Sequence, residues 1–337
     1  DELTYEKKHE FNFGVDAGFF NNRLNVTFDV YQRRNFDEIA PTVTQLYGTA
    51  YANVGSMKSW GEELSISSTN VKTNDFSWQT SLIYSHNRTE ITDLYNQGRV
   101  IDLVQGNGFA KQGYPARALF SIPFVGINEK GNPVCINEKG QATVGDLNFQ
   151  ERNNTDYLIY EGSTDPIYNG SLGNTFNYKG FHLNLFLTYA FGNVVRLDPV
   201  FKAKYNDLTS MNHDFKNRWM QPGDENVTNV PGVVSRYEYE QNRTLLSTAY
   251  NAYNYTSVRT AKGDFIRLKE ISLAYDFPHR WLENSPVNNI SLKLQATNLM
   301  LLYADKKLNG QDPEFMNAGG VASPMPKQFT LTLKLGL

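Results

Sequence analysis

The stretch that decides the fold is Tyr178-Lys179-Gly180-Phe181-His182-Leu183-Asn184-Leu185-Phe186-Leu187-Thr188-Tyr189-Ala190-Phe191. After a Lys-Gly turn, Phe181, Leu183, Leu185, Leu187, Tyr189 and Phe191 fall at every second position, the period of a β-strand with one apolar face. The pattern extends in both directions. Upstream lie Leu172, Phe176 and Tyr178, then Phe76, Trp78, Leu82 and Tyr84, then Leu64 and Ile66. Before those come Leu24, Val26, Phe28 and Val30, and before them Phe11, Phe13, Val15, Ala17 and Phe19. Downstream, Ile271, Leu273, Tyr275 and Phe277 precede Ile290, Leu292, Leu294 and Ala296, and Phe329, Leu331, Leu333, Leu335 and Leu337 close the series. That makes roughly nine strands.

The connections between them alternate in length. Short links are expected at 20–23, 72–75, 179–180 and 278–288, and long ones at 35–56, 92–167, 192–262 and 303–326. Compact soluble domains rarely carry repeated structureless loops beyond about 15 residues. Membrane β-barrels pair tight periplasmic turns with long extracellular loops. A soluble antiparallel sheet shares the periodicity but not this asymmetry.

Composition agrees with a barrel. Aromatics make up 13% of the 337 residues, with 20 Tyr and 21 Phe, yet the mean hydropathy is −0.49. No window holds the ~18 apolar residues of a spanning helix, whereas barrel strands need only alternate ones. Trp78, Tyr178, Tyr189, Tyr275 and Trp281 sit near strand ends, where an aromatic girdle meets lipid headgroups. Asp16, Asp29, Gln79, Gln295 and Lys334 fall on the opposite, lumen-facing side. The fold expected is therefore an all-β, transmembrane antiparallel barrel. Nine strands are an odd number, and bacterial single-chain barrels have even ones. Residues 1–337 are thus expected to form one part of a larger barrel, with an odd number of strands upstream.

Several function classes are disfavoured. A net charge of −3 with scattered Lys and Arg offers no nucleic-acid footprint. One cysteine, Cys135, supplies neither a disulfide nor a thiolate cluster. His9, His86, His182, His213 and His279 lack metal-ligand spacing, and no nucleophile, Walker-type or dinucleotide motif occurs in context. No enzymatic activity is expected.

Particular motifs carry a family resemblance. Asn53-Val54-Gly55-Ser56-Met57 with Gly61-Glu62-Glu63-Leu64, the Tyr178-Lys179-Gly180-Phe181 turn and Asn217-Arg218-Trp219 resemble segments of SusC/RagA-type TonB-linked outer-membrane proteins. Asp264-Phe265-Ile266-Arg267-Leu268-Lys269-Glu270-Ile271-Ser272-Leu273 is the most specific match, followed by Thr297-Asn298-Leu299 and the Pro326–Leu337 strand. The resemblance implies the C-terminal portion of a 22-stranded barrel whose N-terminal plug lies outside this chain. It also implies import driven by TonB, a SusD-like lipoprotein lid, and an oligosaccharide or peptide substrate. A passive porin or a structural outer-membrane barrel is the alternative. Family members often carry an Asp-rich calcium-like turn. Here Asp146, Asn148, Asn153, Asp156 and Asp165 lack that spacing, so no cofactor is expected. Substrate contacts are expected in the 192–262 loop, at Trp219, Arg236, Tyr237 and Tyr239, where aromatic faces with polar tips suit sugars or peptide side chains.

Overall fold

The computed structural model describes residues 3–44, 48–205, 211–283, 286–316 and 326–336. Nine strands form one antiparallel sheet in sequence order: β1 Lys7–Phe19, β2 Leu24–Thr44, β3 Gly48–Lys72, β4 Phe76–Leu94, β5 Tyr168–Tyr178, β6 Phe181–Phe191, β7 Phe265–Asp276, β8 Asn289–Ala304 and β9 Gln328–Gly336. Each strand pairs with its neighbour in the chain, as in an up-and-down barrel wall.

The register separates two faces. On one, Phe176, Leu183, Leu273, Leu294 and Leu331 stand side by side across five strands. On the other, Gln79, Thr175, Asn184, Ser272, Gln295 and Thr330 form a polar row across six. Asp16, Asp29 and Lys334 lie on this polar side as well. Leu294, Leu331, Leu333 and Phe329 are exposed although large and apolar. An apolar face of that breadth suits lipid, and the polar face suits a water-filled lumen.

Two aromatic bands border the apolar face. At the turn end, Trp78 stacks on Phe176, Phe181 meets Tyr275, and Phe277 lies against Trp281. At the loop end, Tyr84 neighbours Tyr168, and Tyr189, Phe191 and Tyr303 form a chain. From Tyr168 to Tyr178 the strand runs roughly 33 Å, or about 25 Å at a ~40° tilt, the height of a barrel's lipid-facing band. No described helix is long and apolar enough to cross a membrane.

Local chemistry explains the turns and bulges. Lys179 and Gly180 both have positive φ (46° and 88°), the two-residue hairpin turn whose twist matches the strands. Gly55 sits at a bulge where an added Cβ would come within 2.2 Å of the Asp93 carbonyl, which accounts for the glycine of the Asn53–Met57 motif. Asn298, with φ 53°, lies where the β7–β8 register shifts.

One connection differs from expectation. Residues 35–56 are mostly strand, not a loop: β2 and β3 continue as a paired ribbon from Asn35↔Met57 to Thr44↔Gly48. Bulges between Asn35, Glu38 and Ile39 break the alternation there, so a period-two count stops early.

Candidate functional site

The two longest loops fold together at one end of the sheet. The β4–β5 loop supplies helix α1, Val100–Val104, and five short strands between Ala118 and Ser163. The β6–β7 loop supplies α2, Arg236–Gln241, and α3, Arg243–Asn254. In α3, Leu246, Ala249, Tyr250 and Tyr253 recur at helical spacing and face inward. Val100, Leu103, Phe120, Ile122 and Cys135 from the first loop enclose Ala252 from the second, giving a buried core. Burial pushes the Cys135 thiol up to about 12, so it behaves as a small apolar side chain.

Arg196 ties this body together. It is buried, and its guanidinium donates to the carbonyls of Val104 (3.2 Å), Thr256 (2.8 Å) and Phe120 (2.6 Å) and to Ser121 Oγ (3.1 Å). Desolvation pushes it down to about 9, which leaves it charged at neutral pH. Arg259, also buried and lowered by desolvation, binds Asp214 at 3.2 Å and lies over the Phe201 ring. Asn309 and Gln311, in the third long loop, reach Asp214 and Asp198. All three long loops are therefore cross-linked.

Below this body, on the polar face, lies a cleft of about 590 Å³ lined by Asn169, Ser171, Thr188, Asn193, Lys269 and Glu314. A second hollow of about 540 Å³, with Glu270, Thr297 and Gln328, shares Lys269 with it. Arg267 projects from the start of β7 and pairs with Asp312 and with Glu314 at 3.1 Å. This fastens the third loop to the rim and gives the charges of the Asp264–Leu273 motif a structural use. Asp264 itself accepts from the Gly192 amide at 2.7 Å. Amide, hydroxyl and paired charges of this kind can hydrogen-bond a polar solute.

The four residues expected to meet substrate have different placements. Trp219 lies across Gly131 and Gly232, where a Cβ on Gly131 would be 2.4 Å from the ring, and its Nε1 donates to Glu225 at 3.0 Å. Much of its indole is thus used to join two loops. Arg236 and Tyr237 are exposed on the first turn of α2, with Tyr237 79% accessible. Tyr239 packs beside Leu246 and Tyr250, and its hydroxyl lies 3.1 Å from Ser247 Oγ. The hydrogen bond to Ser247, with help from Arg243 and Lys204, holds this phenol below its usual value. Tyr250 and Tyr253, also in this loop, are buried and face the core. The lumen-side cleft was not anticipated, because its residues come from β5, β6, β7 and two loops.

Of the acidic residues of the calcium-like segment, Asp146, Asp156 and Asp165 pair with Lys139, Lys111 and Arg117. Among the described residues no three His, Cys, Asp or Glu side chains converge as a metal-ligand group.

No family model matches the chain. Individual relatives do. TonB-dependent receptor P26 of Formosa agariphila is 26% identical over 99% of this chain and 35% of its own length. TonB-dependent receptor SusC of Bacteroides thetaiotaomicron is 25% identical over 100% of this chain and 32% of its own. The chain resembles the C-terminal barrel portion of a SusC/RagA-type TonB-dependent receptor. The solved RagAB peptide transporter shares the fold, with a TM-score of 0.75 and 24% identity over 98% of this chain and 35% of that one. The sequence thus spans about a third of the length of its TonB-dependent relatives. The resemblance read from its motifs and the antiparallel barrel fold are both borne out.

Proposed function

We propose that this chain is the C-terminal wall and loop body of an outer-membrane importer for oligosaccharides or peptides. The SusC-like relatives support uptake as the activity, and the structurally similar RagAB is a peptide transporter. The observation that carries the reading is a cross-linked loop body mounted above a polar lumen-side cleft. Such a body gives a rigid rim on which a SusD-like lipoprotein can close, whereas a passive porin needs an open mouth. Energy reaches the barrel from TonB through a plug in the upstream part of the protein. Residues 1–337 then form one barrel domain that carries no catalysis and holds no cofactor.

The test uses the full-length protein that contains this chain, purified in detergent from its native outer membrane. A stoichiometric lipoprotein should copurify, and uptake of labelled oligosaccharides or peptides by intact cells should stop when the proton gradient is dissipated. Uptake that survives de-energising would overturn the reading in favour of a porin. Alanine at Trp219, Arg236, Tyr237 and Tyr239 tests the loop contacts, and unchanged substrate affinity would reject them.

A further inference from the structure

The apolar face ends abruptly on β1–β4, and the rows beyond it are charged. Two adjacent rows are purely apolar or aromatic: Ala17–Val26–Ile66–Leu82 and Val15–Phe28–Leu64–Tyr84. The next row toward the loops, Phe13–Val30–Glu62–His86, is mixed. Beyond it stand Phe11–Gln32–Trp60–Arg88 and then His9–Arg34–Lys58–Glu90, all on the same lipid-facing side. Rows on one face are about 7 Å apart, so Arg34, Lys58 and Arg88 lie just past the lipid band.

These cations differ in their engagement. Lys58 pairs with Glu90 at 2.9 Å and lies 5.5 Å above Trp60. Arg34 and Arg88 are exposed, and neither guanidinium has a hydrogen-bond or ion-pair partner among the described residues. By contrast, Arg33, on the lumen side of the same strand, binds Glu10 at 2.8 Å. A groove of about 410 Å³ opens beside Arg88, walled by Trp60, Tyr160, Asp165 and Pro166. Of the carboxylates nearby, Glu90 is held by Lys58, Asp165 by Arg117, and Glu62 faces His86 and Tyr84.

We infer that this surface binds the phosphorylated headgroup of an outer-leaflet glycolipid. Arg34 and Arg88 supply bidentate donors for phosphate oxygens. Trp60 and Tyr160 supply flat faces for the headgroup sugar. The apolar rows below accept its acyl chains. The occupant is identified by continuity with the lipid-facing band and by the unpaired positive charge at its edge. The inference requires only the membrane-spanning wall, so its failure would leave the import reading untouched.

The experiment places the full-length protein in phosphatidylcholine nanodiscs doped with bis-phosphorylated lipid A, with the same lipid A after phosphate removal, or with phosphatidylglycerol. Native mass spectrometry then counts retained lipid. Wild type should retain phosphorylated lipid A in preference to both others. Arg34→Gln with Arg88→Gln should weaken retention about thirtyfold, at about fivefold per surface cation. Arg34→Lys with Arg88→Lys should keep most of it, and Lys139→Gln, remote in a loop, should keep all of it. If the double Gln variant does not insert, Arg88→Gln alone should still show the fivefold loss. Equal retention of dephosphorylated lipid A, equal retention of phosphatidylglycerol, or insensitivity to the Gln variants would each overturn the inference.

Discussion

Leu294 in the wall is 54% exposed, whereas Leu246 in the loop body is 2% exposed. The same residue type serves two solvents. In the wall, backbone polarity is satisfied between strands, and the leucines face outward into lipid. In the loop body, leucines and tyrosines turn inward and buried arginines satisfy the carbonyls that irregular backbone leaves over. Each region is built for the medium around it, and a substitution tolerated in one should fail in the other.

The most severe break is Arg196→Ala. It leaves the Val104, Phe120 and Thr256 carbonyls without this donor in a dry core, at a cost of about 3–5 kcal/mol. Limited proteolysis should then cut the loops while the barrel keeps its heat-modifiable gel mobility. Simultaneous loss of both would mean that the wall depends on the loop body.

Leu294→Arg should cost about 2–4 kcal/mol in the wall, while Gln295→Arg, one residue on and facing the lumen, should cost little. Urea refolding into lipid vesicles compares the two, and equal effects would contradict the face assignment. Tyr250→Phe removes a hydroxyl that donates to the Gly232 carbonyl and should destabilise the loop body by about 1 kcal/mol.

A pH test sharpens the contrast further. Asp102, in the first turn of α1, is held below the usual carboxylate range chiefly by its hydrogen bonds from Arg99. A lowered carboxylate stabilises the folded state above its unfolded pKa, and that contribution fades as pH falls toward the folded value. The protection factors of the α1 amides should therefore fall in acid, and Asp102→Asn should already show low protection at neutral pH. The smallest effect concerns chemistry: at pH 8 maleimide should leave Cys135 unmodified until the protein is unfolded, since burial keeps its thiol protonated.

How much the sequence reveals divides along the same line. The wall is legible because Phe181 to Phe191, or Phe329 to Leu335, repeat at period two and each strand pairs with its neighbour. The β2–β3 ribbon past Asn35 escapes that reading because bulges shift the period. The loop body is largely invisible. Its helix α3 does leave a trace in Leu246, Ala249, Tyr250 and Tyr253, but the partners of that face are far away in sequence. The cleft around Lys269 is unreadable for the same reason: no local pattern announces that Asn169, Thr188 and Glu314 will converge.

The bonds of Arg196 also bear on the order of assembly. They join residues 60 to 92 positions apart, whereas β5 meets β6 across a two-residue turn. Contacts that span long stretches of chain form late, once shorter pairings have reduced the entropy of closing the loop. The strands beside each loop must therefore be in register before Arg196 can find its carbonyls. The two long loops are then expected to become a compact body only after the wall beside them has paired.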